Sequence, residues 1–369
     1  MMDVGVYRLP MAGPEDVSEL EALINKGDVN PEEICAIIAQ TEGDGYARGY
    51  SALSFEIMLS EKLGLTREEV ADRIPMLMIG LTGGLMSPHY TVFTRKQVEG
   101  QAKENDEKRL ALGIKITRVL LPEEYGTVTQ VKEVAKAVKE AMEEAGITSI
   151  DDIHCVEVKC PYLTADRVAD AESRGQKVVS KNFAEAGSKS KGASALGVAL
   201  ALGEVKEENI TNEAICRNWD LYSKVASTSA GNEQVACKVI VIGNSNKSVS
   251  PYKIGSGVME DTLDVEGAKA AFKSAGLKFT DVIPQEERDK IATVFINAGA
   301  DAHGHIRGRR TTMKSDFLAG YAGIIAKAVI NAIVGSMIGD TMILASAGFE
   351  HQGPLGANLV AAIVKAGER

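Results

Sequence analysis

Apolar residues gather in three short runs that fall at comparable places along the chain: ICAIIAQTEG from Ile34, IHCVEVKCP from Ile153 and IATVFINAGA from Ile291. Each is of strand length, and their apolar stretches end near Gln40, Lys159 and Asn297. Between the runs the period changes to the 3–4 spacing of helices. TVTQVKEVAKAVKEAMEEAGI (127–147) predicts a helix closed by a terminal glycine, and VEGAKAAFKSAGL (265–277) repeats that pattern, glycine included. SELEALINKG (18–27) is the counterpart near the N-terminus. Strand-like runs alternating with helical patterns in each third predict an α/β protein. The polar stretches 99–111 and 244–253 have turn-rich composition and read as linkers, cutting the chain near 105 and 250. The expected units are therefore 1–105, 106–250 and 251–369.

Internal repetition supports three related units. The pentapeptide Ser229-Ala230-Gly231-Asn232-Glu233 returns as Ser346-Ala347-Gly348-Phe349-Glu350, with Ile79-Gly80 opening a degraded third copy. Arg48-Gly49-Tyr50-Ser51-Ala52-Leu53 is echoed by Lys191-Gly192-Ala193-Ser194-Ala195-Leu196. A serine followed by small residues at a strand end predicts a turn that exposes a hydroxyl beside free backbone N–H groups. An acyl-transfer nucleophile needs that arrangement.

Charge and composition narrow the classes. A net charge of −10 argues against a nucleic-acid surface. The longest apolar stretches are interrupted by Glu, Lys or Gly, so no membrane span is expected, and the N-terminus lacks the pattern of a secretory signal. Five cysteines without a CxxC pair suit reduced thiols in a cytoplasmic protein.

A Ser-His-Asp site finds little support, because no histidine lies in a strand-end motif and no GxSxG elbow is present. A Ser-Lys pair is the alternative, since a desolvated lysine can lose its charge and act as a base. Lys159, closing an apolar run beside Pro161, is the candidate, against the plainer reading of an edge-strand lysine with its head in water. His303-Gly304-His305 reads as a metal site or, more commonly, as an ordinary polar loop. Arg307, Arg309 and Arg310 read as an anion site or as salt-bridging residues.

Taken together, TEGDG (41–45), RGYS (48–51), SPHYTVF (87–93), VKCPYLTADR (158–167), KGASALGVALALGE (191–204), NEAIC (212–216), VASTSAGNE (225–233), IRGRR (306–310) and EHQGP (350–354) resemble the cyanuric acid hydrolase and barbiturase family of ring-opening cyclic amide hydrolases. The resemblance runs nearly end to end. It implies three structurally similar units with pseudo-threefold symmetry, a central β-barrel-like core with helices outside, and one active site where the units meet. It also implies a homo-oligomer, a tetramer in the family's pattern, and no organic cofactor. Carried over by position, Ser229 falls on the nucleophile and Lys159 on its base. Arg48, Ile79, Gly80, Lys191, Ala230, Ile324, Ser346 and Ala347 fall on substrate-binding positions. In the first unit Ile79 and Gln40 replace the serine and lysine. In the third, Asn297 replaces the lysine and the arginine falls near Ile324. A structural metal in the family uses a Glu where this chain has Gly299, together with groups around Glu350–Gly356, so none is expected.

These replacements predict a ring with apolar edges toward the first and third units. The partner expected is thus a small cyclic amide or imide, with neither nucleic acid nor membrane. Two other readings stay open: the family's own substrates, cyanuric or barbituric acid, and a non-catalytic binding protein on a decayed scaffold.

Overall fold

The computed structural model describes residues 1–43, 45–100, 107–299 and 302–367. Three four-stranded sheets share one topology. The first holds β1 (Met2–Pro10), β2 (Ile34–Gln40), β3 (Met76–Ile79) and β4 (His89–Gln97) in the order β1-β4-β2-β3. The second holds β5 (Arg109–Ile116), β6 (Ile153–Pro161), β7 (Ala226–Gly231) and β8 (Lys238–Ser245) in the order β5-β8-β6-β7. The third begins with β9 (Tyr252–Met259) and β10 (Ile291–Ala298). After a small ribbon of β11 (His305–Ile306) and β12 (Arg309–Arg310), it is completed by β13 (Leu344–Ala347) and β14 (Asn358–Lys365), in the order β9-β14-β10-β13.

Within each sheet the second strand runs parallel to the third and antiparallel to the fourth. A parallel pair needs a crossover, and a helix supplies it each time: Gly45–Leu63, Phe183–Ala201 and Ala322–Ile338. The three apolar runs seen in the sequence are the second strands, each flanked on both sides within its sheet. The register is also repeated: Gln40 pairs with Ile79, Lys159 with Ser229 and Asn297 with Ser346. Those six positions are thus structurally equivalent in pairs.

The apolar residues divide the same way. One core joins the inner faces of all three sheets and includes Val4, Ile38, Leu112, Val156, Ile254 and Phe295. Separate clusters lie between the first sheet and its helices, centred on Phe55 and Tyr90, and between the third sheet and its helices, centred on Phe272 and Ile330. This is the barrel-like centre with helices outside that the family resemblance implies, built as three hydrogen-bonded sheets.

The three helices predicted from spacing form at Ser18–Lys26, Val128–Ala145 and Val265–Ala275. Each stops on a glycine in the left-handed region (Gly27, Gly146 and Gly276), where a side chain would be strained.

Two expectations are corrected, and one helix bears on a third. The Ser-Ala-Gly segment of the second unit is the end of a strand rather than a turn, because Cys160 and Pro161 of β6 still pair with Ala230 and Gly231. The stretches read as linkers contribute strand residues, Arg109–Ala111 to β5 and Asn244–Ser245 to β8, while the cut near 105 lies outside the described residues. Ala319–Ile338, with a mean hydropathy of 1.6 and Lys327 as its one charge, is long and apolar enough to cross a membrane by length and composition. In this fold that helix packs on β10 and β13, burying Ala326, Ile330, Val334 and Ile338.

Candidate active site

The third strands β3, β7 and β13 are sheet edges, and their open sides converge on the molecular centre. Side chains from neighbouring units occupy those open sides. Lys159 Nζ of the second unit donates to Met78 O of the first at 2.9 Å. Gln40, at the equivalent position of the first unit, accepts from Ala345 N of the third at 2.6 Å. Gln352 Oε1, in the EHQGP loop of the third unit, accepts from Thr228 N of the second at 2.5 Å. Next to it, His351 accepts from Cys216 N through Nε2 while Nδ1 faces Leu221 O, which fixes a neutral tautomer with Nδ1 donating. Burial pushes the His351 pKa down, which suits that tautomer.

A cavity of about 730 Å³ opens where the three units meet. All ten predicted site residues line it: Arg48, Ile79, Gly80, Lys159, Lys191, Ser229, Ala230, Ile324, Ser346 and Ala347. Ligand cavities commonly fall in this size range.

Lys159 is 1 % exposed. Burial pushes its pKa down to about 8; the charge of Arg48 adds to that effect and Glu233, 3.6 Å away, opposes it. Burial favours protonated Glu233, but Lys159, a backbone N–H and Arg48 outweigh it and hold this carboxyl below its ordinary value. Ser229 is half-buried at the cavity wall, whereas Ser346 is buried and its hydroxyl donates to Thr228 O at 3.4 Å. Strand alternation explains the backbone around Ser229. Thr228 N faces the open edge of β7, so Ala230 N, two residues on, faces it too, while Gly231 turns back toward β6, where its carbonyl accepts from Tyr162 N.

The sequence reading missed one cation and misplaced another position. Lys191 Nζ lies 3.5 Å from Ala347 O and pairs with Glu350 at 2.7 Å. The matching contact in the next unit is Lys327 Nζ donating to Gly80 O at 2.7 Å, since Gly80 and Ala347 each follow the register position of their strand. The cation of the third crossover helix is therefore Lys327. Ile324, assigned to that position from sequence, lines the cavity one helical turn earlier. A lone lysine inside a 17-residue apolar helix, followed by a small residue as Arg48 and Lys191 are, was the available signal. Burial pushes the Lys327 pKa down to about 7, helped by the charges of Arg48, Lys159 and Lys191.

The structural metal implied by the resemblance does not fit these residues. A Cβ at Gly299 would lie 2.3 Å from Ala357 O, and Gly299 N already donates to Asn358. No group of three His, Cys, Asp or Glu side chains among the described residues could hold an ion. Treatment with a chelator is expected to leave activity and melting temperature unchanged, and loss of either on metal removal would contradict this. His305 opens the β11–β12 ribbon, His303 precedes it with Nδ1 3.0 Å from His305 O, and Arg307, between the two short strands, pairs with Asp261 at 2.7 Å.

Three repeated units meeting at a serine- and lysine-lined cavity define a ring-opening amidohydrolase, and the chain belongs to that family: residues 5–365 match the model described as "Amidohydrolase ring-opening protein". It is 46% identical over 369 residues to a cyclic amide hydrolase of Azorhizobium caulinodans, covering 99% of this chain and all of the relative. It is 43% identical to a cyanuric acid amidohydrolase of Enterobacter cloacae with the same coverage. Among solved structures it superposes with a TM-score of 0.93 at 41% identity on a cyanuric acid hydrolase described as an innovation by structural concatenation, covering 99% of this chain and all of the other. A cyanuric acid hydrolase from A. caulinodans gives 0.89 at 38% identity, with both chains covered in full.

Proposed function

We propose that this hydrolase opens a small cyclic amide or imide through a Ser229–Lys159 dyad and a covalent acyl-enzyme. The observation that carries the reading is the register pair itself. Lys159 and Ser229 sit side by side on adjacent strands, both facing the cavity, and the lysine is buried enough to shed its proton near neutral pH. Neither companion register pair, Gln40 with Ile79 or Asn297 with Ser346, retains both groups.

In this mechanism Ser229 Oγ attacks the ring carbonyl while neutral Lys159 takes the hydroxyl proton. The carbonyl oxygen, now negative, accepts from Ala230 N–H on the open edge of β7. Collapse breaks the C–N bond, and Lys159 returns the proton to the leaving nitrogen. Because both ends belong to one ring, the leaving group stays tethered to the ester. Water then attacks the ester with Lys159 again as base; the C–O bond to Ser229 breaks, Lys159 returns the proton to Ser229 Oγ, and the opened acid leaves. Arg48, Lys191, Lys327 and Ser346 with its neighbour Ala347 position the ring. The same reading carries with it a cytoplasmic homo-oligomer, which the five free cysteines suit.

Neutral Lys159 is the competent form, so kcat/KM is expected to climb about tenfold per pH unit on the acid side and level off above pH about 8. The charged groups acting on Lys159 are Glu233 and Arg48, and it in turn acts on Glu157 of its own strand and Lys327 of the third helix. Glu233→Gln removes the anion that favours the ammonium form, and should move the acid limb to lower pH. A flat profile between pH 6 and 9 would remove Lys159 from the base role.

A further inference from the structure

We propose that Gln352 of the third unit is a positioning residue for the reaction: by holding the backbone N–H of Thr228 it sets where Ser229 Oγ and the Ala230 N–H stand. The inference rests on Ser229 being the nucleophile and goes further by naming what keeps its strand in place. β7 is a sheet edge, paired with β6 along one side. Each polar group of Thr228 is nonetheless engaged from outside that sheet. Its N–H donates to Gln352 Oε1 at 2.5 Å, its carbonyl accepts from Ser346 Oγ at 3.4 Å, and its hydroxyl donates to Lys191 O at 3.2 Å. Thr228 and Gln352 are both fully buried. The Gln352 contact is the shortest of the three, and its direction is fixed, because only the amide oxygen can accept from an N–H. The amide nitrogen is left facing Glu350 Oε2 at 3.5 Å, and Glu350 in turn pairs with Lys191.

A hook of the second unit holds Gln352 there. Ser223 N donates to His351 O at 2.9 Å and Gly353 N donates to Ser223 O at 2.8 Å, so the 351–353 segment lies parallel beside the chain entering β7. His351 is clasped at both ring nitrogens, by Cys216 N and Leu221 O, and the Trp219 ring lies over it with centroids 5.4 Å apart. Cys216 and His351 both have left-handed backbone, with φ of 59° and 61°, which residues carrying a side chain rarely adopt. Two such residues bonded to each other mark a segment whose shape is imposed by its surroundings, and imposed shapes of this kind cluster at working sites. The outcome is one buried acceptor, delivered to the residue before the serine. Without it, β7 would carry an unpaired buried N–H and could shift toward its open side. Reacting atoms tolerate little of this, since a misplacement of about 1 Å costs about 100-fold in rate.

Gln352→Met keeps the length of the side chain and loses the acceptor, whereas Gln352→Glu keeps an acceptor oxygen. With succinimide and cyanuric acid as ring probes, Gln352→Met is expected to lower kcat about 100-fold while KM stays within about threefold. Gln352→Glu should stay within about tenfold of the wild-type kcat. Both changes disturb a packed loop, so both lower the melting temperature, and it is the difference in kcat that reads positioning. Labelling of Ser229 by a fluorophosphonate, followed by mass, reads the placement of the serine without any ring, and should slow in the same order. His351→Asn, which loosens the hook and leaves Gln352 in the chain, should give the same kcat loss in smaller measure, and it reads the same role if Gln352→Met fails to fold. Labelling slowed in that order, with neither ring opened by wild type, upholds the positioning role and counts against the ring-opening reading. Wild-type kcat and labelling rate in Gln352→Met, equal losses in the Met and Glu variants, or a wild-type Ser229 that neither turns over nor labels, overturns the inference.

Discussion

Ser229→Ala should lower kcat by about 10⁴-fold or more, Lys159→Met should do nearly the same, and the double variant should be little worse than either. Residues that act as one unit lose their joint contribution when one is removed, so their effects do not add. The serine is exchanged at a half-buried strand position and the lysine is replaced by an apolar side chain of similar length, so the fold is expected to survive both changes. Ser346→Ala should be far milder, because its hydroxyl donates to Thr228 O instead of standing ready beside a lysine. A Ser346→Ala variant without activity, beside a Ser229→Ala variant with ordinary turnover, would move the nucleophile to the third unit.

The second large effect concerns the ring. Cyanuric acid, on which several relatives are named to act, should be opened about 100-fold less efficiently than a five- or six-membered imide with a hydrocarbon edge. The reason is Ile79, which is 6 % exposed at the cavity wall opposite Gln40 in the register. A carbonyl pressed there finds no hydroxyl, and an unpaired buried carbonyl costs about 1–3 kcal/mol. Gln40 offers little help, since it is not among the residues that line the cavity. The third side of the cavity is less apolar than Ile324 suggested, because Lys327 lies one turn away on the same helix. The argument therefore rests on Ile79. Ile79→Ser should raise kcat/KM for cyanuric acid about tenfold and lower it for the imide. Cyanuric acid opened by the wild type at or above the imide's rate would restore the relatives' substrate to this chain.

What was legible in the sequence follows from where the information resides. The second strands are short, apolar and placed alike in each third, and their ends at Gln40, Lys159 and Asn297 could be aligned before any geometry was known. The glycine-stopped helices were equally plain, since a left-handed C-cap is a local demand on one residue. The first and second crossover helices revealed their cations because Arg48 and Lys191 share a string with Ser51 and Ser194. The third helix has lost that string: Ile330 stands where the serine would be, so the alignment slipped by one turn and settled on Ile324. Only the contact of Lys327 with Gly80, across a unit boundary, restores the register. The roles of Gln352 and Glu233 were hidden for the same reason. Gln352 belongs to the third unit and serves a backbone group of the second, and such a pairing leaves no periodic trace in the chain. The serine segments looked like turns because glycine follows them; their pairing with β6 and β10 continues the strands through Ala230 and Ala347.

The acyl-enzyme is the central claim, and rapid acid quench followed by intact-mass and peptide mass measurement tests it most directly. Ring opening by Ser229 keeps the leaving nitrogen attached, so the trapped protein should be heavier by the whole mass of the substrate, with the increment on the peptide carrying Ser229 and absent from Ser229→Ala. Turnover with no such adduct under single-turnover conditions, or an adduct mapped to the peptide carrying Ser346, would contradict the mechanism.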